Sequence, residues 1–387
     1  MVPEGWQEQS LDRVFKLASG STKPSDVNAE RHEDTPHPVY GGNGVLGYSN
    51  HSNHSGNVIL IGRVGEYCGI TRRVTEPCWI TDNALYAKDF FPGNDIEFIT
   101  YRLQHFDVSR LRSKGGQPLV SQKPIYSTKF FLPPLPEQRK IVDILSTWDR
   151  AIETTEALLA TARTQKRALM QSLLTGKRRF PGFEGQEWKE VRLGDIGATF
   201  NGLTGKAKDD FGQGQSFITY LNIFQNSRID LSKGGQVSVG HNEKQNRVRW
   251  GDIFFTTSSE TPNEVGMSSV LLDEPDDVYL NSFCFGFRLH DFKTLRPEYA
   301  RFMFRGQDFR RELHRLAQGA TRYNLSKGNL MKTPLRLPSI EEQECIAGVL
   351  EAAQTEEDSF VDDLTKLRTG KKALMQQLLT GKRRVVV

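Results

Sequence analysis

Few side chains in this chain stand at spacings that could do covalent chemistry. Lys206 follows Gly205 as in a phosphate-binding loop, but Ala207 takes the place of the hydroxyl residue and the upstream glycine spacing is wrong. The FGQG stretch at 211–214 has the composition of a methyl-donor loop. No apolar run precedes it and no Asn-Pro-Pro-aromatic partner exists, so it reads as a polar turn. His51 and His54, with Cys68 and Cys78, carry metal-ligating atoms, but they sit in a Ser/Asn-rich stretch without the regular pairs of a zinc site. No Ser-His-Asp set and no paired carboxylates stand out. The sequence therefore points to no catalytic residue, no metal and no cofactor held by this chain.

What remains are loops rich in donors and positive charge. In the first region Asn43, Tyr48, Arg63, Tyr67, Arg72 and Arg73 fall on or beside the ends of short apolar runs, and Lys114 and Gln117 lie on the Gly-rich turn SKGGQPLVS. In the second region Lys233, Lys244, Arg247 and Arg249 cluster. Ser258, Ser259 and Asn263 follow a strand candidate, while Arg322, Tyr323 and Asn324 occupy the place that 117–119 hold in the first region. Arg and Lys suit phosphates or guanine edges, and Asn and Gln can pair bidentately with adenine. These residues are the candidate DNA contacts; any one of them alone reads more readily as a solvated loop residue, whereas the clusters as groups favour contact.

The elements that must position them are set by a repeat. ALMQSLLTGKRRF at 168–180 returns as ALMQQLLTGKRRV at 373–385, and LPPLPEQRKIVDIL at 132–145 returns as LPSIEEQECIAGVL at 337–350. The offset is 205 residues throughout, without a gap, and 21 of 49 paired positions are identical. A gapless repeat implies one supersecondary unit used twice at a fixed length. In the first copy Ile141, Leu145, Trp148, Ile152, Leu159, Ala162, Leu169 and Leu173 step by three and four, with gaps at Thr155 and Lys166. In the second, Ile346, Leu350, Ala353, Phe360, Leu364, Leu367, Leu374 and Leu378 do the same. Both are heptad seams. A helix over 136–175 would be about 60 Å long at 1.5 Å per residue, with Pro136 in its first turn and Gly176 at its C′ position. Ser339 and Glu342 suggest a capping box for the second helix, and Gly370 within it costs about 1 kcal/mol relative to Ala. Lys166 and Lys371 occupy matching seam positions. They suggest either a register role or, as the simpler expectation, side chains reaching out from the seam's edge.

Around the helices lie two mixed regions. Strands are expected at 58–61 and 78–80 in the first, and at 252–257, 268–272 and 282–289 in the second, with an amphipathic helix at 297–311. Trp6, Glu8 and Leu11 match Trp188, Glu190 and Leu193 at an offset of 182, the second set following the KRR stretch at 177–179. The expected organisation is a mixed region at 1–131, a helix at 132–180, a second mixed region at 181–336 and a second helix at 337–387. This is an α+β fold with a pseudo-two-fold repeat. The linker at 177–187 is too short to return the chain along a helix, so the helices should pair antiparallel, as a coiled coil, with the mixed regions at opposite ends.

Bulk properties agree. The chain has 387 residues, 37% hydrophobic and 25% charged, with a net charge of +4. That predicts a multidomain globular protein without a membrane span, meeting any polyanion through local patches. Four cysteines without a CxxC pair and an N-terminus unlike a signal peptide suggest the cytoplasm.

Across essentially its whole length the chain resembles the DNA specificity subunit of type I restriction–modification systems. The resemblance is carried by LPPLPEQRKIVDIL and LPSIEEQECIAGVL entering long helices, LLTGKRR twice, FPGFEGQEWKEVRLGDI opening the second half, and YGGNGVLGYSN, GRVGEYCG and KGGQP in the first. It implies two target recognition domains, each reading one half of a split sequence in double-stranded DNA, with spacer helices acting as a ruler. It implies a non-catalytic subunit that gathers two methyltransferase subunits, which carry S-adenosylmethionine and adenine-N6 chemistry, and restriction subunits that use ATP and Mg. Two other classes are distinguishable. A protein-only coiled-coil scaffold would lack salt-dependent DNA affinity, and a self-contained modification enzyme would transfer methyl groups alone.

Overall fold

The computed structural model of the chain describes residues 4–319 and 322–386. They form two compact units, Met1–Ala157 with Asp362–Val387, and Leu158–Val361. Two 39-residue helices, Leu135–Leu173 and Ile340–Leu378, are each divided between the units, so each unit owns part of each helix. Among the described residues no helix is long and apolar enough to cross a membrane.

In the first unit the apolar run at Val58–Gly62 is buried throughout and becomes an inner strand. It lies between Ala84–Phe90 and Thr71–Val74, with Phe15–Ser19 completing a four-stranded antiparallel sheet. Alternation along the strand splits the core. Ile59 and Ile61 join Phe15, Leu85, Phe98 and Leu103 under the helix Ile96–Phe106, while Val58 and Leu60 join Val74, Cys78 and Ile80 on the other face. That helix starts where the Asp95 carboxylate accepts the N–H groups of Glu97 and Phe98. A three-stranded sheet centres on His37–Tyr40, antiparallel to Val45–Ser49 and parallel to Trp79–Ile80. Gln7–Ser10, directly after Trp6, pairs with Lys129–Leu132 at the entrance to the long helix.

The second unit repeats this topology. Gly197–Asn201, Cys284–Leu289, Ile253–Thr256 and Ser268–Val270 form the four-stranded sheet, with Ile253 and Phe255 on one face and Phe254 on the other. Phe211–Ile218 centres the three-stranded sheet, and Lys189–Arg192 pairs with Pro334–Leu337. Two sequence expectations are corrected here. Residues 211–214 are not a turn but the start of a strand, whose register shifts between Phe211 and Gln215, with Gly212 and Gly214 at φ +105° and +100°. The single helix expected over 297–311 is two helices, Pro297–Met303 and Gln307–Leu316, parted at Phe304–Gly306. Arg305 explains the break. Its guanidinium is drawn inward to the carbonyls of Ser268, Ile223 and Asn226, at 2.7 Å each.

Within each unit the helix halves pair antiparallel. In the first, Glu137, Asp149 and Glu156 meet Arg384, Lys371 and Arg368 in turn, and Ile141 and Leu145 share a core with Leu378 and Leu379. In the second, Arg163 and Lys166 meet Glu357, and Leu173 shares a core with Ile346 and Leu350. Lys166 and Lys371 therefore do not reach out to solvent. Lys166 donates to Gln354 at 2.7 Å and to Glu357 at 2.6 Å, and Lys371 donates to Asp149, the repeat partner of Gln354. Both helices end alike, with Gly176 and Gly381 at φ +70°. The capping box is half made. Ser339 Oγ accepts the Glu342 N–H at 3.3 Å, but the Glu342 carboxylate is taken by Arg179.

Candidate nucleic-acid interface

In the first unit three loops are fastened side by side. The turn at 41–44 closes when the Gly41 N–H donates to the Gly44 carbonyl (2.8 Å), and a Cβ on Gly42 would lie 2.7 Å from the Val64 carbonyl oxygen. Only glycine permits that approach to the neighbouring loop at 63–69, and it leaves Asn43 exposed at the turn. The loop at 113–119 docks against the same place. Val120 N–H donates to the Arg63 carbonyl (2.9 Å) and Gly65 N–H to the Pro118 carbonyl (3.0 Å). Asn43, Arg63, Tyr67, Lys114 and Gln117 are thereby carried on one group of joined loops. Arg72 joins them, donating to the Asn43 carbonyl at 3.3 Å. Burial pushes its pKa below the ordinary arginine value, with no carboxylate opposing.

Arg73 and Tyr48 lie elsewhere. Adjacent strand residues face opposite ways, so Arg73 turns from the loops to pair with Glu97 and Asn57. Tyr48 stays half-buried, its ring centroid 5.9 Å from Arg31.

The second unit builds the equivalent loops with different side chains. Leu325 N–H donates to the Thr257 carbonyl (2.9 Å), and Ser258–Ser259 pairs with Tyr323–Asn324. Residues 323–325 thus take the backbone role of 118–120, and Arg322 the place of Gln117. Ser258 and Ser259 are buried, leaving Arg322 and Asn324 as the exposed donors of this pair of strands. Arg310 holds the adjoining loop through the carbonyls of Asn263 (2.6 Å), Val265 (2.8 Å) and Gly266 (2.9 Å). The basic group at 233–249 is dispersed. Lys233 pairs with Asp230 (3.0 Å) and Arg247 with Asp277 (2.7 Å), while Lys244 and Arg249 are exposed.

Sequence reasoning missed Phe283. Its carbonyl accepts the Thr257 N–H (3.1 Å) and its own N–H is held by Asn281 (2.8 Å), yet the residue is 62% exposed. It also missed Gln138 and Gln343, matched at the 205 offset and buried. Each accepts the N–H at the start of a domain helix, Asp95 or Arg296, at 2.8 and 2.9 Å, and so ties a long helix to its unit. His54 and Cys78 meet only through backbone, Cys68 lies in a different core cluster, and burial pushes the Cys78 thiol up to about 11. Among the described residues no three His, Cys, Asp or Glu gather as metal ligands.

The sequence matches the model of a family described as type I restriction modification DNA specificity domain, once at residues 3–163 and again at 185–359. The chain belongs to that family. Each match begins near one Trp-led strand and ends inside a long helix. The EcoprrI type I restriction enzyme specificity subunit of Escherichia coli is 28% identical over 144 residues, 37% of this chain; the match spans 36% of that relative's length. The MjaVIII specificity subunit of Methanocaldococcus jannaschii is 25% identical over 291 residues, covering 71% of this chain and 67% of its own. Among solved structures, a type I restriction–modification S subunit from M. genitalium has the same fold, with TM-score 0.69 at 15% identity over 98% of this chain and 99% of that one. A chain from work on complex assembly and conformational transition of the type I restriction–modification system has TM-score 0.57 at 16% identity, covering 99% of this chain and 100% of its own.

Proposed function

We propose that this chain reads a two-part sequence in double-stranded DNA, one half with each set of joined loops, and that the helix pair fixes the number of base pairs between the halves. One observation carries the reading. The same backbone hydrogen bonds mount both loop sets, Arg63–Val120 and Thr257–Leu325, while the exposed side chains differ. A repeated mount with varied side chains suits two readers of unlike half-sites. In the first unit Arg63, Arg72, Lys114 and Gln117 offer phosphate, guanine and adenine donors, and in the second Arg322 and Asn324 do so.

The spacing role rests on equal helices of 39 residues joined at their ends by matched ion pairs, Arg179–Glu342 and Arg384–Glu137. A helix advances 1.5 Å per residue against about 3.4 Å per base pair. Helix length then converts directly into spacer length. The chain supplies no chemistry of its own in this reading. Two methyltransferase subunits dock on the repeated helix surfaces and bring S-adenosylmethionine and the extrusion of the target adenine. Restriction subunits bring ATP and Mg.

Methylation mapping with the partner subunits tests this. Exchanging residues 1–131 for those of another family member is expected to change one half-site and leave the other and the spacer intact. Alteration of both halves contradicts independent readers.

A further inference from the structure

Beside the final helix of the first unit lies a hollow of roughly 600 Å³ lined by Arg102, His105, Arg110, Lys129, Lys372 and Lys382, with no Asp or Glu on its wall. Arg102 rests its guanidinium 4.4 Å from the centroid of the Phe130 ring, and its buried Nε has no hydrogen-bond partner. Burial pushes Arg102 down to about 10. Burial, then Arg102 and Arg110, hold the His105 pKa below its ordinary value. Among the described residues, Lys129 alone of these has a carboxylate partner, Glu8 at 3.0 Å. Cations gathered in a concave, partly desolvated site repel one another and focus a positive potential outward. The geometry points to an anion site in this hollow, and specifically to a phosphate group of the DNA backbone, an inference that rests on the DNA-reading proposal above.

Two observations favour DNA over an acidic protein surface. The corresponding hollow of the second unit is lined by Gln171 and Thr175, the repeat partners of Gln376 and Thr380, but its Arg311 and Arg315 are neutralised by Asp308 (3.1 Å) and Glu312 (2.6 Å). A partner protein present in two copies would meet both hollows, so charge left open in one alone does not suit it. The basic hollow is also linked to the reading loops through one chain segment. Its edge is the turn Val108–Leu111, and the neighbouring Arg112 donates its Nε–H to the Cys68 carbonyl at 3.0 Å. Ser113 N–H then closes the Lys114 loop on the Leu119 carbonyl at 2.9 Å. Arg110, Arg112 and Lys114 thus place a cation at every second residue from the hollow to the loop. A duplex seated on the loops has its sugar–phosphate chain within reach of that line.

The test uses the full chain with its methyltransferase subunits and the substitutions Arg110→Gln, Lys372→Gln and Lys382→Gln, singly and together. All three side chains are exposed, and thermal melting checks that the variants fold. DNA affinity is measured against salt. The triple variant is expected to lower the slope of log K against log salt by about 1 to 2, and to weaken target and non-target DNA alike by about tenfold. An unchanged slope overturns the inference. So does loss of subunit assembly with the slope intact, which would assign the hollow to a protein carboxylate. Stabilisation by pyrophosphate that the triple variant abolishes, again with the DNA slope intact, would assign it to a free phosphate compound and equally overturn it. If the unsubstituted complex itself lacks salt-dependent DNA affinity, the DNA-reading proposal falls and not this site alone.

Discussion

The indole of Trp148 lies against the α-carbon of Gly370. A Cβ at position 370 would stand 2.6 Å from Trp148 Cζ3, closer than any real contact. Gly370 is thus the hole that receives the Trp148 knob on the facing helix half of the same unit. Gly370→Ala should gain about 1 kcal/mol of helix propensity and lose about 1–3 kcal/mol by overpacking. The expected net result is a lowered melting temperature, and Trp148→Leu in the same chain should make the alanine stabilising. Thermal unfolding of the two single variants and the double variant checks this.

Each long helix is also fastened at its start by an arginine from the end of the other. Arg179 grips the Glu342 carboxylate with two N–H groups, one at 2.7 Å, and donates to the Gln186 carbonyl at 2.9 Å. Arg384 grips Glu137 at 2.7 and 2.8 Å and donates to the Glu4 carbonyl at 2.7 Å. The glutamates are 1% and 4% exposed at their side chains. Arg179→Ala strands a buried carboxylate and should cost about 3 kcal/mol, read by chemical denaturation. Arg179→Met with Glu342→Leu should recover part of the loss; no recovery would mean that the packing of Arg179, and not the stranded charge, is what was lost.

Acid should loosen the second unit's helix pair at Glu357. Burial opposes its ionisation, but hydrogen bonds from Lys166 and Arg163 outweigh that and hold its carboxyl below the usual glutamate range. A carboxyl with a depressed folded pKa gives stability that is present above the unfolded value. That stability is lost as pH falls through the folded value. The melting temperature of the parent chain should exceed that of Glu357→Gln at about pH 7, with the gap closing below about pH 4. A gap that stays constant as pH falls well below the ordinary glutamate value contradicts this account.

The parts legible from sequence are those where one chain segment determines its own structure. The 205-residue repeat, the heptad positions, Gly176 at φ +70° and the inner strand at Val58–Gly62 all belong to this class. What failed depended on distant partners. Residues 297–311 carry an unbroken amphipathic pattern, and only the carbonyls of a distant strand start and helix end, Ser268 and Asn226, draw Arg305 inward to divide it. Lys166 and Lys371 could be placed only once the antiparallel register set Gln354 and Asp149 opposite them. Arg73 could have been set aside by strand parity, since Arg72 beside it had already taken the loop-facing side. Phe283 left no signal, because the exposure of one aromatic residue is decided by its surroundings. The candidate loops were singled out by composition, but their joining at Arg63–Val120 and Thr257–Leu325 required the fold.

The claim that the helix pair sets the distance between two reading heads is tested most directly by lengthening it. A second LLTG is inserted into both helices, and the preferred targets of the complex are recovered by binding-site selection. The account predicts unchanged half-sites separated by about one or two additional base pairs, as 1.5 Å per residue against about 3.4 Å per base pair requires. Recovery of the original spacer by a folded, DNA-binding variant would contradict it.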